Sequence, residues 1–165
     1  MGATGVEQVS QYLTFRLGEE VFALEISQVR EVLDYTPVTR VPRMPAFMRG
    51  VINLRGSVVP VVDLRLKFGM AATERTVNTC IIIAEVVVGG ERTQLGALAD
   101  SVQEVIDLEP GQIEPAPRIG TSLDAAFIRG MGKRDERFVI ILDIDKVFSG
   151  AELALVQGVG EGAIE

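Results

Sequence analysis

The chain of 165 residues has no histidine, no tryptophan and a single cysteine, and only 5% of it is aromatic. Without histidine there is no imidazole general base, no Ser-His-Asp or Cys-His nucleophile, and no ordinary zinc set. The chain also cannot carry a phosphohistidine itself. No G-x-x-x-x-G-K-[ST] loop is present, so hydrolysis of a nucleotide on such a loop is unsupported. Cys80 has no partner for an internal disulfide; placed in the apolar run from Thr79 to Ala84, it is expected to be a buried strand residue in a reducing compartment. No run of eighteen apolar residues exists, and the first thirty residues lack a basic region followed by an apolar block. Val6 stands where a myristoylation signal would need Ser or Thr. A cytoplasmic location is expected. The net charge is −7, and no basic stripe is visible along the chain, so direct nucleic-acid binding is not expected.

What is present is a repeat. Phe47-Met48-Arg49-Gly50, Val59-Pro60-Val61-Val62-Asp63 and Phe68 return as Phe127-Ile128-Arg129-Gly130, Val139-Ile140-Ile141-Leu142-Asp143 and Phe148, all offset by 80. Upstream, Val29-Arg30-Glu31-Val32-Leu33-Asp34 returns as Val102-Gln103-Glu104-Val105-Ile106-Asp107 at an offset of 73. An internal duplication fixes the architecture before any propensity is considered. The step from 73 to 80 puts seven extra residues in the second copy, most simply in a loop around Ile119 to Asp124.

Short β-branched runs broken by Gly, Pro or charged pairs predict strands at 12–17, 21–25, 29–35, 50–54 and 58–63, and again at 80–88, 92–99, 102–108, 128–131 and 138–143. Five strands per copy suit a small barrel, and each copy is so small that two half-barrels sharing an interface are favoured over independent domains. The expected bounds are 11–70 for the first barrel, 78–150 for the second, and 151–165 for a C-terminal helix and glycine-rich tail within one domain spanning 1–165. Pro60 cannot donate to a ladder and so argues for an edge or a bulge. Asp63 and Asp143 each precede a short amphipathic piece, which reads as helix capping. A carboxylate-dependent hydrolase would instead need these two side chains to converge. Gly158-Val159-Gly160-Glu161-Gly162 follows no strand and opens no helix, so it reads as tail and not as a phosphate loop.

The run Pro45-Ala46-Phe47-Met48-Arg49-Gly50-Val51-Ile52-Asn53-Leu54-Arg55-Gly56, then Val59-Pro60-Val61-Val62-Asp63-Leu64-Arg65, resembles the signature of CheW-type chemotaxis coupling proteins, as do Val29-Arg30-Glu31-Val32-Leu33 and Ile113-Glu114-Pro115-Ala116-Pro117. The resemblance runs from about Gln11 to Val156. It implies a mainly β fold of two SH3-like five-stranded barrels with short helices, and no enzymatic activity, cofactor or metal. It further implies an adaptor joining the cytoplasmic tip of methyl-accepting chemoreceptors to the regulatory domain of the histidine kinase CheA, recruited to receptor arrays at the inner face of the membrane without inserting into it. The family's receptor-facing groove maps onto Val29, Glu31, Gly50 and Arg55, and further onto Gly96, Val102 and Val105.

A receptor tip is a helical hairpin, so its recognition calls for an apolar groove with charges fixing register. Val29 can supply apolar contact, Gly50 close approach and Arg55 a bidentate bond to a carboxylate. Each has a structural alternative. Gly50 and Glu31 recur as Gly130 and Glu104, so each copy's fold can account for them; Arg55 has Asp135 at its repeat position, so the fold does not demand arginine there. Phe47 and Phe127 are expected core anchors. A stand-alone module recruiting a different sensory or motility complex is the alternative to the chemotaxis adaptor.

Overall fold

Two-residue reversals at Gly18-Glu19, Arg55-Gly56 and Asp135-Glu136 fold three pairs of strands back on themselves. The computed structural model describes residues 9–88, 90–115, 127–148, 151–152 and 154–155. The first copy supplies β1 (Ser10–Leu17), β2 (Glu20–Glu25), β3 (Val29–Asp34), β4 (Met48–Leu54), β5 (Ser57–Asp63) and the helical turn α1 (Leu64–Lys67). The second supplies β6 (Cys80–Val88), β7 (Glu91–Ala99), β8 (Ser101–Leu108), β9 (Ile113–Glu114), β10 (Ile128–Arg134), β11 (Arg137–Leu142) and α2 (Ile144–Val147). The expected loop around 119–124 and the glycine-rich tail lie outside the described residues. Ala151, Glu152, Ala154 and Leu155 are helical.

The fold is mainly β, in two sheets ordered β8-β1-β2-β11-β10-β9 and β3-β6-β7-β5-β4. Each sheet therefore takes strands from both copies, which corrects the expected bounds of 11–70 and 78–150 for separate barrels. The β1–β2 hairpin joins β8, β10 and β11, while the β6–β7 hairpin joins β3, β4 and β5. The crossing is made by short connections. A single 3-10 turn, Ile26–Gln28, carries the chain from β2 to β3, and Asp100 alone separates β7 from β8. Parallel contacts close the exchange at equivalent places, Val61 opposite Gly96 and Ile141 opposite Ala23.

Three apolar clusters follow from the two-residue period of the strands. One lies on the face of the first sheet formed by Tyr12, Ala23, Ile106, Leu108, Val139 and Ile141. A second lies on the second sheet at Ile52, Val59, Val61, Ile81, Ile83 and Leu98. The largest joins the opposite faces of both sheets through Leu13, Phe15, Phe22, Val62, Ile82 and Ala97, with α1 and α2 packed in. The recurring phenylalanines sit there and pair between copies, Phe47 with Phe148 at 5.3 Å between ring centres and Phe68 with Phe127 at 5.9 Å. Lys67, whose repeat position is Val147, stands 5.3 Å from the Phe47 ring centre and bonds Glu152 at 2.7 Å, fastening the start of the C-terminal helical segment to this seam.

Both copies of the Phe-x-Arg-Gly motif form the same β-bulge. Register shifts between Met48 and Gly50 against β5, and between Ile128 and Gly130 against β11. The amides of Asp63 and Asp143 close both bulges onto the carbonyls of Phe47 and Phe127, at 2.7 and 2.9 Å. The extra residue of each bulge is the arginine, and the two arginines diverge: Arg49 turns onto Asp63 at 3.0 Å, Arg129 onto Glu25 at 2.5 Å.

Asp63 caps α1 as expected, accepting from the Arg65 amide at 3.1 Å. Asp143 makes no side-chain cap, a correction to the symmetric expectation. Asp63 is fully buried and also accepts from the amide and hydroxyl of Thr73, which the segment after α1 brings in; among the described residues the Asp143 side chain is paired with Lys146, at 3.9 Å. Cys80 is half-buried, not buried, because it opens β6 at the sheet end. Pro60 lies inside the sheet, but the ladder from β5 to β7 begins only at Val61, so no bond is lost.

The pairing also divides the insertion. Thr39 bridges Val51, and Glu114 pairs with Met131, the residue 80 positions after Val51. Thr39 and Glu114 are thus equivalent at an offset of 75, so two of the seven added residues precede Glu114 and five follow it, between Glu114 and Phe127.

Candidate functional site

The β3 strand carries the first two expected site residues, and a bulge decides where they point. Val29 pairs with Ala84 and Glu31 with Ile83, a register shift across one residue. Residues i and i+2 of a regular strand share a face; the bulge instead sends Val29 to the inter-sheet core and leaves Glu31 on the other face. β8 repeats the device: Val102 pairs with Phe15 and Val105 with Leu13, so both valines share the inter-sheet face. There the Thr14 hydroxyl fills the gap, donating to the Glu104 carbonyl at 2.8 Å and accepting from its amide at 3.1 Å.

Glu31, Gly96 and Gly50 fall in one cross-strand row of the second sheet: Glu31 opposite Ile83, Ile83 opposite Gly96, Gly96 opposite Val61, Val61 opposite Gly50. Arg55 joins the row from the β4–β5 hairpin tip. Arg55 and Gly56 both have positive φ, 50° and 89°, as a two-residue turn matching strand twist requires. That turn aims the guanidinium back along the sheet, and both its terminal nitrogens bond the two Glu31 oxygens, Nη1 to Oε1 at 3.3 Å. Arg55 is therefore not simply solvated, and a carboxylate from outside has to share it with Glu31.

The hydrogen bond from Arg55 holds the Glu31 carboxyl below its ordinary value, partial burial opposes this, and the charges of Arg55 and Arg30 add to the lowering. A carboxyl lowered on folding contributes stability above its unfolded value near 4.5 and loses it as pH falls through the folded value. Thermal denaturation between pH 6 and pH 3 is expected to show a small acid loss that Glu31→Gln removes, small because the pair is solvent-screened.

Gly50 and Gly96 are buried, so neither offers a contact surface of its own. At Gly50, φ is +141° and a Cβ would come within 2.0 Å of the Thr39 carbonyl oxygen. Its freedom is needed so that the β3–β4 loop can lie against β4, where Thr39 and Val51 exchange two bonds of 2.8 Å.

Val105 is 47% exposed although it lies on the inter-sheet face. Its repeat equivalent, Val32, is 39% exposed and pairs with Ile82 of the same core. Both stand on strands at the end of their sheet, β8 and β3. The two valines extend the inter-sheet core to the surface. Val32 was missed in the sequence and could have been found as Val105 minus the 73-residue offset.

The family model for the CheW-like domain matches residues 11–152. The chain belongs to the CheW-like family. It is 38% identical to the chemotaxis protein CheW of Klebsiella aerogenes over 92% of this chain and 89% of that protein. It is 30% identical to the chemotaxis protein CheW of Thermotoga maritima, over 90% of this chain and 93% of that one. In structure it is similar to the scaffolding protein TtCheW from Thermoanaerobacter tengcongensis, with a TM-score of 0.77 and 34% identity over 88% and 91% of the two chains. The two-sheet fold of this CheW-like chain matches that neighbour, as the sequence resemblance implied. Among the described residues no helix is long and apolar enough to cross a membrane, and no group of three or more His, Cys, Asp or Glu could hold a metal ion.

Proposed function

We propose that this chain is a non-catalytic chemotaxis adaptor that couples methyl-accepting chemoreceptors to the histidine kinase CheA in the cytoplasm. The observation that carries the reading is the match to the CheW-like family over residues 11–152. The geometry supports a receptor-facing role for two parts of the site. Val29 and Val102, with Val32 and Val105 beside them, offer apolar surface continuous with a rigid core, as a helix laid in a groove requires. Arg55 and Glu31 offer a polar pair on the opposite face of β3, the strand at the end of its sheet, able to exchange partners with a receptor side chain. Gly50 and Gly96 serve by shaping the sheet.

The test is reconstitution of receptor-controlled phosphorylation of the kinase with and without the chain. Kinase control that does not depend on it would defeat the proposal. Arg55→Glu and Val32→Asp are each expected to weaken receptor binding by roughly tenfold, about 1.4 kcal/mol. The melting temperature should change little, since Arg55 is exposed and Val32 is partly solvated.

A further inference from the structure

Charge is distributed unevenly along this acidic chain. Residues 35–79 hold seven of the sixteen basic residues and two of the twenty-three acidic ones, giving +5 in a chain of −7. Four of the seven cations are held internally: Arg49 by Asp63, Arg55 by Glu31, Arg65 by Asp100 and Lys67 by Glu152. Arg40, Arg43 and Arg75 are exposed and have no carboxylate partner among the described residues.

Two of these flank Tyr35. Arg75 lies over its ring at 4.6 Å, and Arg40 lines a cleft of about 400 Å³ with Tyr35, Val38, Arg49 and Thr73. The loop that presents Arg40 and Arg43 contains Pro37, Pro42 and Pro45 and is tied to β4 by the two Thr39–Val51 bonds. Such a loop has lost much of its freedom before anything binds, which removes part of the ordering cost of association.

We propose that this face docks an acidic, partly apolar polypeptide segment of a protein partner, with Arg40 and Arg75 taking its carboxylates while Tyr35 and Val38 contact its apolar side chains. The charge outside residues 35–79 sums to −12, nine basic against twenty-one acidic residues, and would repel a nucleic-acid duplex or a broad anionic membrane. A single acidic segment meets only the basic face. The inference rests on the adaptor reading, in that the occupant is sought on the chemoreceptor or the kinase.

Calorimetric titration of the full chain with a receptor cytoplasmic fragment and with the kinase regulatory domain tests it. The double variant R40E/R75E is expected to bind one of them at least tenfold more weakly and with a shallower salt dependence. R40K/R75K should retain most of the affinity, and melting should be unchanged in both. The same charge change at exposed positions elsewhere, R92E/K133E, should leave affinity within twofold. Wild-type affinity of R40E/R75E for both partners overturns the proposal alone, and so does equal loss in R92E/K133E. A wild-type chain that binds neither partner overturns the adaptor reading with it. Sedimentation with phosphatidylglycerol vesicles that depends on Arg40 and Arg75 overturns it in favour of a membrane.

Discussion

Asp63→Ala is expected to destabilise the fold by roughly 3 kcal/mol, whereas Asp143→Ala at the repeat position should cost under about 1 kcal/mol. The two aspartates occupy equivalent places in strand and bulge, and the sequence gives no reason to rank them. Their surroundings do. Asp63 is fully buried and accepts from the Thr73 amide at 2.9 Å, the Thr73 hydroxyl at 2.8 Å, the Arg65 amide at 3.1 Å and Arg49 at 3.0 Å. Removing it strands a buried amide and hydroxyl and leaves Arg49 without its counter-charge. Hydrogen bonds to a charged group contribute about 1.5–3 kcal/mol, and unsatisfied buried donors add their desolvation. Arg49 is one-third exposed and recovers some solvation, which holds the total near the lower end of what breaking a buried pair costs. For a chain of this length the loss corresponds to a fall in melting temperature of roughly 6–12 °C. Comparable losses in the two variants would mean that the Thr73 contacts contribute little.

That asymmetry marks where the sequence ceases to be legible. The constant 80-residue offset carried the duplication, the strand set, the bulge residues and the phenylalanine pairs, because each depends on a short pattern of residue types. Both aspartates looked like caps because the capping pattern is local, while Thr73, which distinguishes them, arrives from a segment with no repeat. The exchange of hairpins between sheets was hidden for a related reason. Both copies have the same two-residue alternation, so β1–β2 could pair with either set of partner strands. The choice is made by connections as short as Ile26–Gln28 and Asp100. At the site, Arg55 against Asp135 was readable as broken symmetry, but its Glu31 partner depends on a bulge at Arg30 that no propensity encodes. Val32 was within reach of the repeat arithmetic, yet its exposure follows only from β3 lying at the end of its sheet.

Gly50→Ala should have the second large effect, a loss of about 3 kcal/mol or more. Two separate penalties act there. At φ of +141° an alanine is strained whatever the space around it, and the new Cβ would stand 2.0 Å from the Thr39 oxygen and 2.9 Å from a Val38 methyl. The oxygen belongs to the backbone and cannot rotate aside, so relief requires the β3–β4 loop to lift off β4 and give up both Thr39–Val51 bonds. Gly130→Ala is the control. Its φ does not lie in the positive region, and its nearest neighbours are an Ile113 methyl at 2.7 Å and the Glu114 carbonyl oxygen at 3.1 Å, so a turn of the Ile113 side chain and a small shift of the short strand β9 relieve the clash. A cost of about 1–2 kcal/mol is expected there. Hydrogen exchange separates local from global effects: in Gly50→Ala the Thr39 and Val51 amides should lose protection beyond the change in overall stability. The same variant should weaken any partner that uses Arg40, because the loop presenting that arginine is held by the contact the glycine permits. If Thr39 and Val51 stay protected while stability falls, the loop has remained in place, and the requirement for glycine comes from the backbone angle of the bulge alone.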